Sequence, residues 1–247
     1  MKLLHKTHIY KALAAVAIVV AAPLLAFTPA TKNSVSDDQK FEVKKVDFDE
    51  IKAAIVDPKS KFYYPKLMKS FQSNDTTMSF EQYRYLYFGY VFSEDYSPLR
   101  QSEFSDKIES LYYKGSYTRA ECDTIEKYAE LSLDDNIFDL QQMEFYIYSL
   151  KEKRKHARAS IRQYRLNHIM AAILSSGNGT QESPWVVISA EHEYYIINKL
   201  GYVATAHQEL DGYIDYIEVE KRNANSPEGF YFDASKMVEV GQIKFAQ

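Results

Sequence analysis

The run EHEYYI at residues 191–196 concentrates groups capable of proton or metal chemistry within this 247-residue chain. His192 stands between Glu191 and Glu193, and an imidazole beside carboxylates can serve as a general base or a metal ligand. The His-Glu pair also begins like a zinc-peptidase helix. That helix needs a second histidine four residues on, where this chain has Ile196, so the metal motif fails on its own spacing. A charged cluster at the start of a surface helix accounts for the three residues.

Other catalytic patterns fail similarly. Gly177 and Gly179 have no following Gly-Lys-Ser/Thr to make a phosphate cradle, and no serine occupies a G-x-S-x-G turn. Cys122, the single cysteine, has no evident basic partner and fits a small buried hydrophobe. Acid pairs such as Glu94–Asp95 and Asp134–Asp135 could serve a glycosidase only if folding held two carboxylates about 5–10 Å apart across a sugar. No cofactor motif and no metal motif is complete.

Recognition is the other chemistry on offer, because the chain carries 21 tyrosines and 14 phenylalanines. Tyr83, Tyr87 and Tyr90 recur at helical spacing, and with Tyr96, Trp185 and His192 they form the set of candidate binding residues. Rings of this kind contribute large apolar areas at modest entropy cost, while each hydroxyl asks for a partner when buried. A core face and the wall of a groove share the same period, so the spacing admits both.

The elements that must position these residues are mostly helices. Asp47 with Glu50, Ser79 with Gln82 and Thr118 with Glu121 have the capping-box spacing. They predict helices running over Ile51–Ile55, over Phe80–Phe92 and over Arg119–Leu131. Further helices are expected over Phe62–Phe71, Ser102–Tyr113, Phe138–Leu150 and onward to about Ser175. Gly89 is explained by close approach of another backbone. The basic run KEKRKHAR at 151–158 fits a solvated helix junction.

After Ser176 the helical period is lost. Trp185–Ser189 and Tyr202–His207 read as strands, Glu191–Leu200 as a helix closed by Gly201, and Tyr213–Lys221 alternates as a strand with Phe230–Asp233 as its partner. The expected fold class is α+β: antiparallel helix pairs over residues 46–176, tetratricopeptide-like or an irregular bundle, followed by a small antiparallel sheet over 177–247 packed on them.

Residues 1–30 have the pattern of a secretory signal, with Lys2, Lys6 and Lys11 ahead of a 16-residue apolar run, Ala12–Phe27, and small residues at Thr28 and Ala30. The run is short for a membrane span, which takes about 20 residues; an uncleaved anchor is the alternative. A polar spacer covers 31–45. Losing three lysines and no carboxylates takes the formal charge from −4 to −7. An acidic chain without a basic stripe excludes nucleic acid as a partner. The expected location is periplasmic or secreted, without stable membrane insertion after cleavage.

The runs YYPKLMKSFQSNDTTMSFEQYRYLYFGYVFSEDYSP, SPWVVISAEHEYYIINKLG and IDYIEVEKRNANSPEGFYFDASKM resemble the DUF4919 family. That resemblance implies an exported bacterial protein, chiefly of the Bacteroidetes, and assigns no activity and no site residues. Three functions remain open: an interaction module of the cell envelope binding a protein or peptide, a structural envelope protein, and a carbohydrate-active hydrolase with paired carboxylates in an aromatic cleft.

Overall fold

The computed structural model describes residues 43–112 and 114–245. The expected signal segment and most of the spacer lie outside the described residues. Helix α1 (Phe48–Val56) starts where Asp47 Oδ1 accepts from the N–H groups of Asp49 and Glu50 at 3.0 and 2.9 Å. Helix α2 (Tyr64–Gln72) opens on Pro65, whose missing N–H costs nothing in a first turn. Helix α3 (Phe80–Gly89) carries both reciprocal bonds of the Ser79–Gln82 box, at 2.8 and 3.3 Å.

Helix α3 tightens into a 3₁₀ turn at Tyr90–Phe92. Every residue from Tyr83 to Gly89 is buried, because α1, α2 and the later helix α7 (His156–Leu174) pack around it. Gly89 marks one of these approaches. A Cβ there would stand 3.2 Å from Ile55 Cγ2 and 3.4 Å from the Tyr64 ring, so side chains, and not a neighbouring backbone, account for the glycine.

The helix expected over 102–113 is interrupted. Only α4 (Glu103–Asp106) and a 3₁₀ turn at Glu109–Leu111 form, separated by Lys107 and by Ile108, which leaves helical geometry at φ −125° and is fully buried. Helices α5 (Arg119–Asp135) and α6 (Leu140–Glu152) then lead into α7, each packed on its predecessor as an antiparallel pair with helical-repeat character. Thr118 and Glu121 complete the second reciprocal box, and Asp139 caps α6 by accepting from the Gln142 N–H at 2.9 Å.

The basic run forms the α6–α7 joint. Lys155 and Arg158 reach Glu126 at 2.7 and 3.1 Å, and Lys153 bonds both Glu126 and Asp123, so much of its charge is spent inside the fold. The last residues of the expected spacer contact the helices: Lys44 N–H donates to the Ser175 carbonyl at 2.8 Å, and buried Arg84 donates to the Lys44 carbonyl at 3.0 Å. No helix among the described residues is long and apolar enough to cross a membrane.

The C-terminal part is a four-stranded sheet in the order β1-β4-β3-β2. Strands β2 (Ala204–Leu210), β3 (Ile214–Val219) and β4 (Gly229–Asp233) are antiparallel, while β1 (Trp185–Val186) joins β4 in parallel. Helix α8 (Ala190–Lys199) runs between β1 and β2, and a helix absent from the sequence expectations, α9 (Ser235–Phe245), closes the chain. Strand β2 is one of the two edges, and Thr205 bulges from its ladder, a feature that discourages edge-to-edge pairing.

Candidate functional site

Three polar side chains meet between α8 and the edge of the sheet. On α8, Ile196 and Ile197 face inward, and Glu193 lies one turn earlier on the same face, so the helix that buries the isoleucines also buries the acid. On β3 the buried row is Asp215, Ile217 and Val219, with Asp215 taking a place that an apolar residue would ordinarily hold. On β2, His207 sits opposite Ile217 in the ladder and therefore diagonal to Asp215 on the same face.

The three ligand-capable atoms lie within 4.8 Å of one another. His207 Nε2–H donates to Asp215 Oδ1 at 2.9 Å. Glu193 is 1% exposed and Asp215 4%, whereas the His207 side chain is 37% exposed and forms the solvent side of the cluster. Burial, then the charge of Asp215 and a hydrogen bond to it, hold the Glu193 carboxyl well above the usual carboxylate range. Two carboxylates this close repel when both are ionised. The hydrogen bond to Asp215 raises the His207 imidazole, opposed by its partial burial.

One atom of this cluster has no partner. Glu193 Oε1 is buried and makes no hydrogen bond. An orphaned buried oxygen is uncommon and costs about 1–3 kcal/mol.

Next to this cluster a neutral network joins the sheet to the helices. His192 is 3% exposed, and its Nε2 lies 2.8 Å from the Phe138 carbonyl, which can only accept. The proton therefore sits on Nε2, and Nδ1 accepts from the Tyr87 hydroxyl at 2.7 Å. Desolvation pushes this imidazole down to about 4, keeping it neutral. The Tyr87 oxygen also accepts from the Ile188 N–H at 3.4 Å, and the Tyr96 hydroxyl donates to the Ile188 carbonyl at 2.7 Å. Two tyrosines thereby satisfy both backbone groups of a buried residue that lies outside any strand.

The DUF4919 sequence profile, described as a domain of unknown function, matches residues 49–242. The chain belongs to the DUF4919 family. No curated protein and no solved structure matched it.

Within this DUF4919 fold the six expected binding residues are interior. Tyr83 and Tyr87 are fully buried, Tyr90, Tyr96 and Trp185 nearly so, and His192 lies on the buried face of α8. The structure brings Tyr87, Tyr96 and His192 together around Ile188 and brings Tyr90 against Tyr96 and Phe138. Tyr83 lies apart, between Phe71, Tyr164 and His168. Trp185 is further off, stacked on Phe230, with Nε1–H donating to the Gly177 carbonyl at 3.1 Å. In this conformation none of the six presents a face to an outside molecule.

The surface-cluster account of residues 191–193 is corrected. Glu191 is exposed, but His192 and Glu193 point inward because they share the face of the α8 isoleucines. Sequence reasoning placed Asp215 in its row and His207 at the end of a strand without joining them to Glu193. The available signal was an acid in an otherwise buried apolar row.

A broad cleft of about 450 Å³ runs between residues 178–182 and 227–231, with Phe230 and Tyr231 in its wall and Glu182 as its carboxylate. A single carboxylate does not make a glycosidase pair. Glu193 and Asp215 touch each other beneath the surface and do not flank a space that a sugar could occupy.

Proposed function

We propose that this DUF4919 protein is an exported, non-catalytic binding module of the cell envelope, and that its ligand is a small cation taken up by Glu193, Asp215 and His207. The observation that carries this reading is the orphaned, buried Glu193 oxygen beside a second carboxylate, with an imidazole as the solvent-facing side. Buried carboxylates are retained when they are paired or when they coordinate a cation. The contact between the two acids and the hydrogen bond from His207 to Asp215 answer only part of that requirement.

The signal pattern of residues 1–30 supports export, and the acidic net charge speaks against a nucleic-acid partner. The aromatic rings have structural partners throughout the core, which supports a rigid scaffold in place of a ring-lined groove. The contact between the two buried acids favours cation capture over sugar hydrolysis.

Two measurements test the proposal. Intact-mass analysis of envelope fractions is expected to find a chain beginning near Thr31; a full-length chain confined to the cytosol refutes export. Thermal shift against alkaline-earth ions, transition-metal ions and polyamines is expected to show a cation that raises the melting temperature of the wild type and leaves Asp215→Asn unmoved. A flat response to every cation refutes capture and leaves the structural-protein reading in its place.

A further inference from the structure

We infer that Glu193, His207 and Asp215 are protein ligands of a first-row divalent transition ion, of the manganese-to-zinc class. This inference rests on the cation-binding reading and narrows it to one ligand chemistry.

The donor set does the narrowing. Calcium takes six to eight oxygens, and two carboxylates fall far short of that. Copper(I) and other soft ions ask for thiolate or thioether, and the single cysteine, Cys122, is buried in α5. One imidazole with two carboxylates is borderline in hardness and suits the middle of the first-row series. Three protein ligands also leave coordination positions for water or a further ligand.

The geometry is close to what such an ion needs. Ligand bonds of about 2.0–2.2 Å place two donors no more than about 4.4 Å apart, and the three atoms here lie within 4.8 Å. A small rotation of the Glu193 carboxyl brings the set within range, and Oε1 is already free of other bonds. The ion supplies a positive charge between the two acids.

The fold supplies an entry path and rigidity. His207 stands on the edge strand, its side chain 37% exposed, so an ion reaches the buried acids past the imidazole. Glu209 lies directly opposite Asp215 in the ladder and adds negative charge near the mouth. The ligands come from α8, β2 and β3, so the ion ties the edge of the sheet to the helix above it and stabilises their docking.

The test uses purified protein stripped with a chelator, then Co²⁺ as the spectroscopic probe and Zn²⁺ by equilibrium dialysis with elemental analysis. Wild type is expected to take up one Zn²⁺ per chain, to develop a visible Co²⁺ absorption band, and to melt at a higher temperature with Zn²⁺. His207→Ala, at a partly exposed position, is expected to keep its circular dichroism and lose at least 10–100-fold in affinity, the loss that removing even an outer partner of a metal ligand brings. Glu193→Gln, which preserves shape, is expected to abolish the Co²⁺ band. Absence of metal uptake by folded wild type overturns the inference, as does a Co²⁺ band unchanged in both variants, which places the ion elsewhere. Calcium or polyamine binding that depends on Asp215, without Co²⁺ or Zn²⁺ binding, also overturns it while leaving the broader cation-binding proposal intact.

Discussion

Replacing Tyr87 separates the two jobs that its side chain does. Its ring is fully buried against Phe88, Phe138 and His192, while its hydroxyl serves His192 Nδ1 at 2.7 Å and the Ile188 N–H at 3.4 Å. Tyr87→Phe keeps the ring and strands the acceptor on His192 and the amide of Ile188. Leaving a buried polar group unpaired costs about 1–3 kcal/mol, and the long Ile188 contact contributes the smaller share, so a total of about 2 kcal/mol is expected. Tyr87→Ala removes the ring as well and is expected to cost about 3–5 kcal/mol, a large part of the 5–15 kcal/mol typical of a domain. Urea unfolding followed by circular dichroism measures both, with the midpoint falling and the slope unchanged. The pair Tyr87→Phe and His192→Phe adds a check, because residues in direct contact show a coupling of about 0.5–3 kcal/mol. Midpoints for Tyr87→Phe and Tyr87→Ala that match wild type would refute the assignment of Tyr87 to the core, and additive effects in the pair would refute the hydrogen bond.

Other expectations follow from single contacts. Glu121 is held down to about 2 by its hydrogen bond to Lys114 and by the Thr118 cap, so its stabilising effect is present above the ordinary glutamate value near 4.5 and is lost as pH falls toward 2. The stability gap between wild type and Glu121→Ala is therefore expected to close across that window, and a gap of constant size in acid unfolding curves contradicts it. Gly179 has φ +76°, and a Cβ there would stand 2.7 Å from the Trp185 ring, so Gly179→Ala is expected to lower stability by about 1–3 kcal/mol with a change in Trp185 fluorescence. An unchanged melt and spectrum would show that the turn moves freely. Burial raises the Cys122 thiol, so a thiol reagent is expected to react only after denaturant is added; rapid labelling of native protein argues against its place in α5.

The helical part was legible where a local signal and the tertiary environment agreed. Ser79–Gln82 and Thr118–Glu121 write their caps in the sequence, and both form with reciprocal bonds. The expectation failed in the backbone: Ile108, which shares a helical spacing with Phe104, Leu111 and Tyr112, is buried as that face requires, but it leaves helical geometry and splits the segment into a short helix and a 3₁₀ turn. The sheet was legible in Tyr213–Lys221 because its alternation is strong, but the parallel placement of β1 beside β4 depends on a long-range pairing, Trp185 with Phe232, that no local period encodes.

The candidate site was the least legible part for a related reason. Glu193, His207 and Asp215 belong to three elements, and each alone has an ordinary explanation as a polar residue on a half-exposed segment. What makes them a site is the packing of α8 over the β2–β3 ladder, which turns the face with Ile196 and Ile197 toward the row with Ile217 and so presses two acids together beneath a histidine. The same packing gives the tyrosines a positioning role inside the fold. Tyr87 and Tyr96 hold the Ile188 backbone at the entrance to α8, and that anchorage sets where Glu193, five residues on, points its carboxyl. The aromatic stretch and the acidic site are therefore consecutive steps in one arrangement: rings and hydroxyls position the helix, and the helix delivers the buried acid to the edge of the sheet.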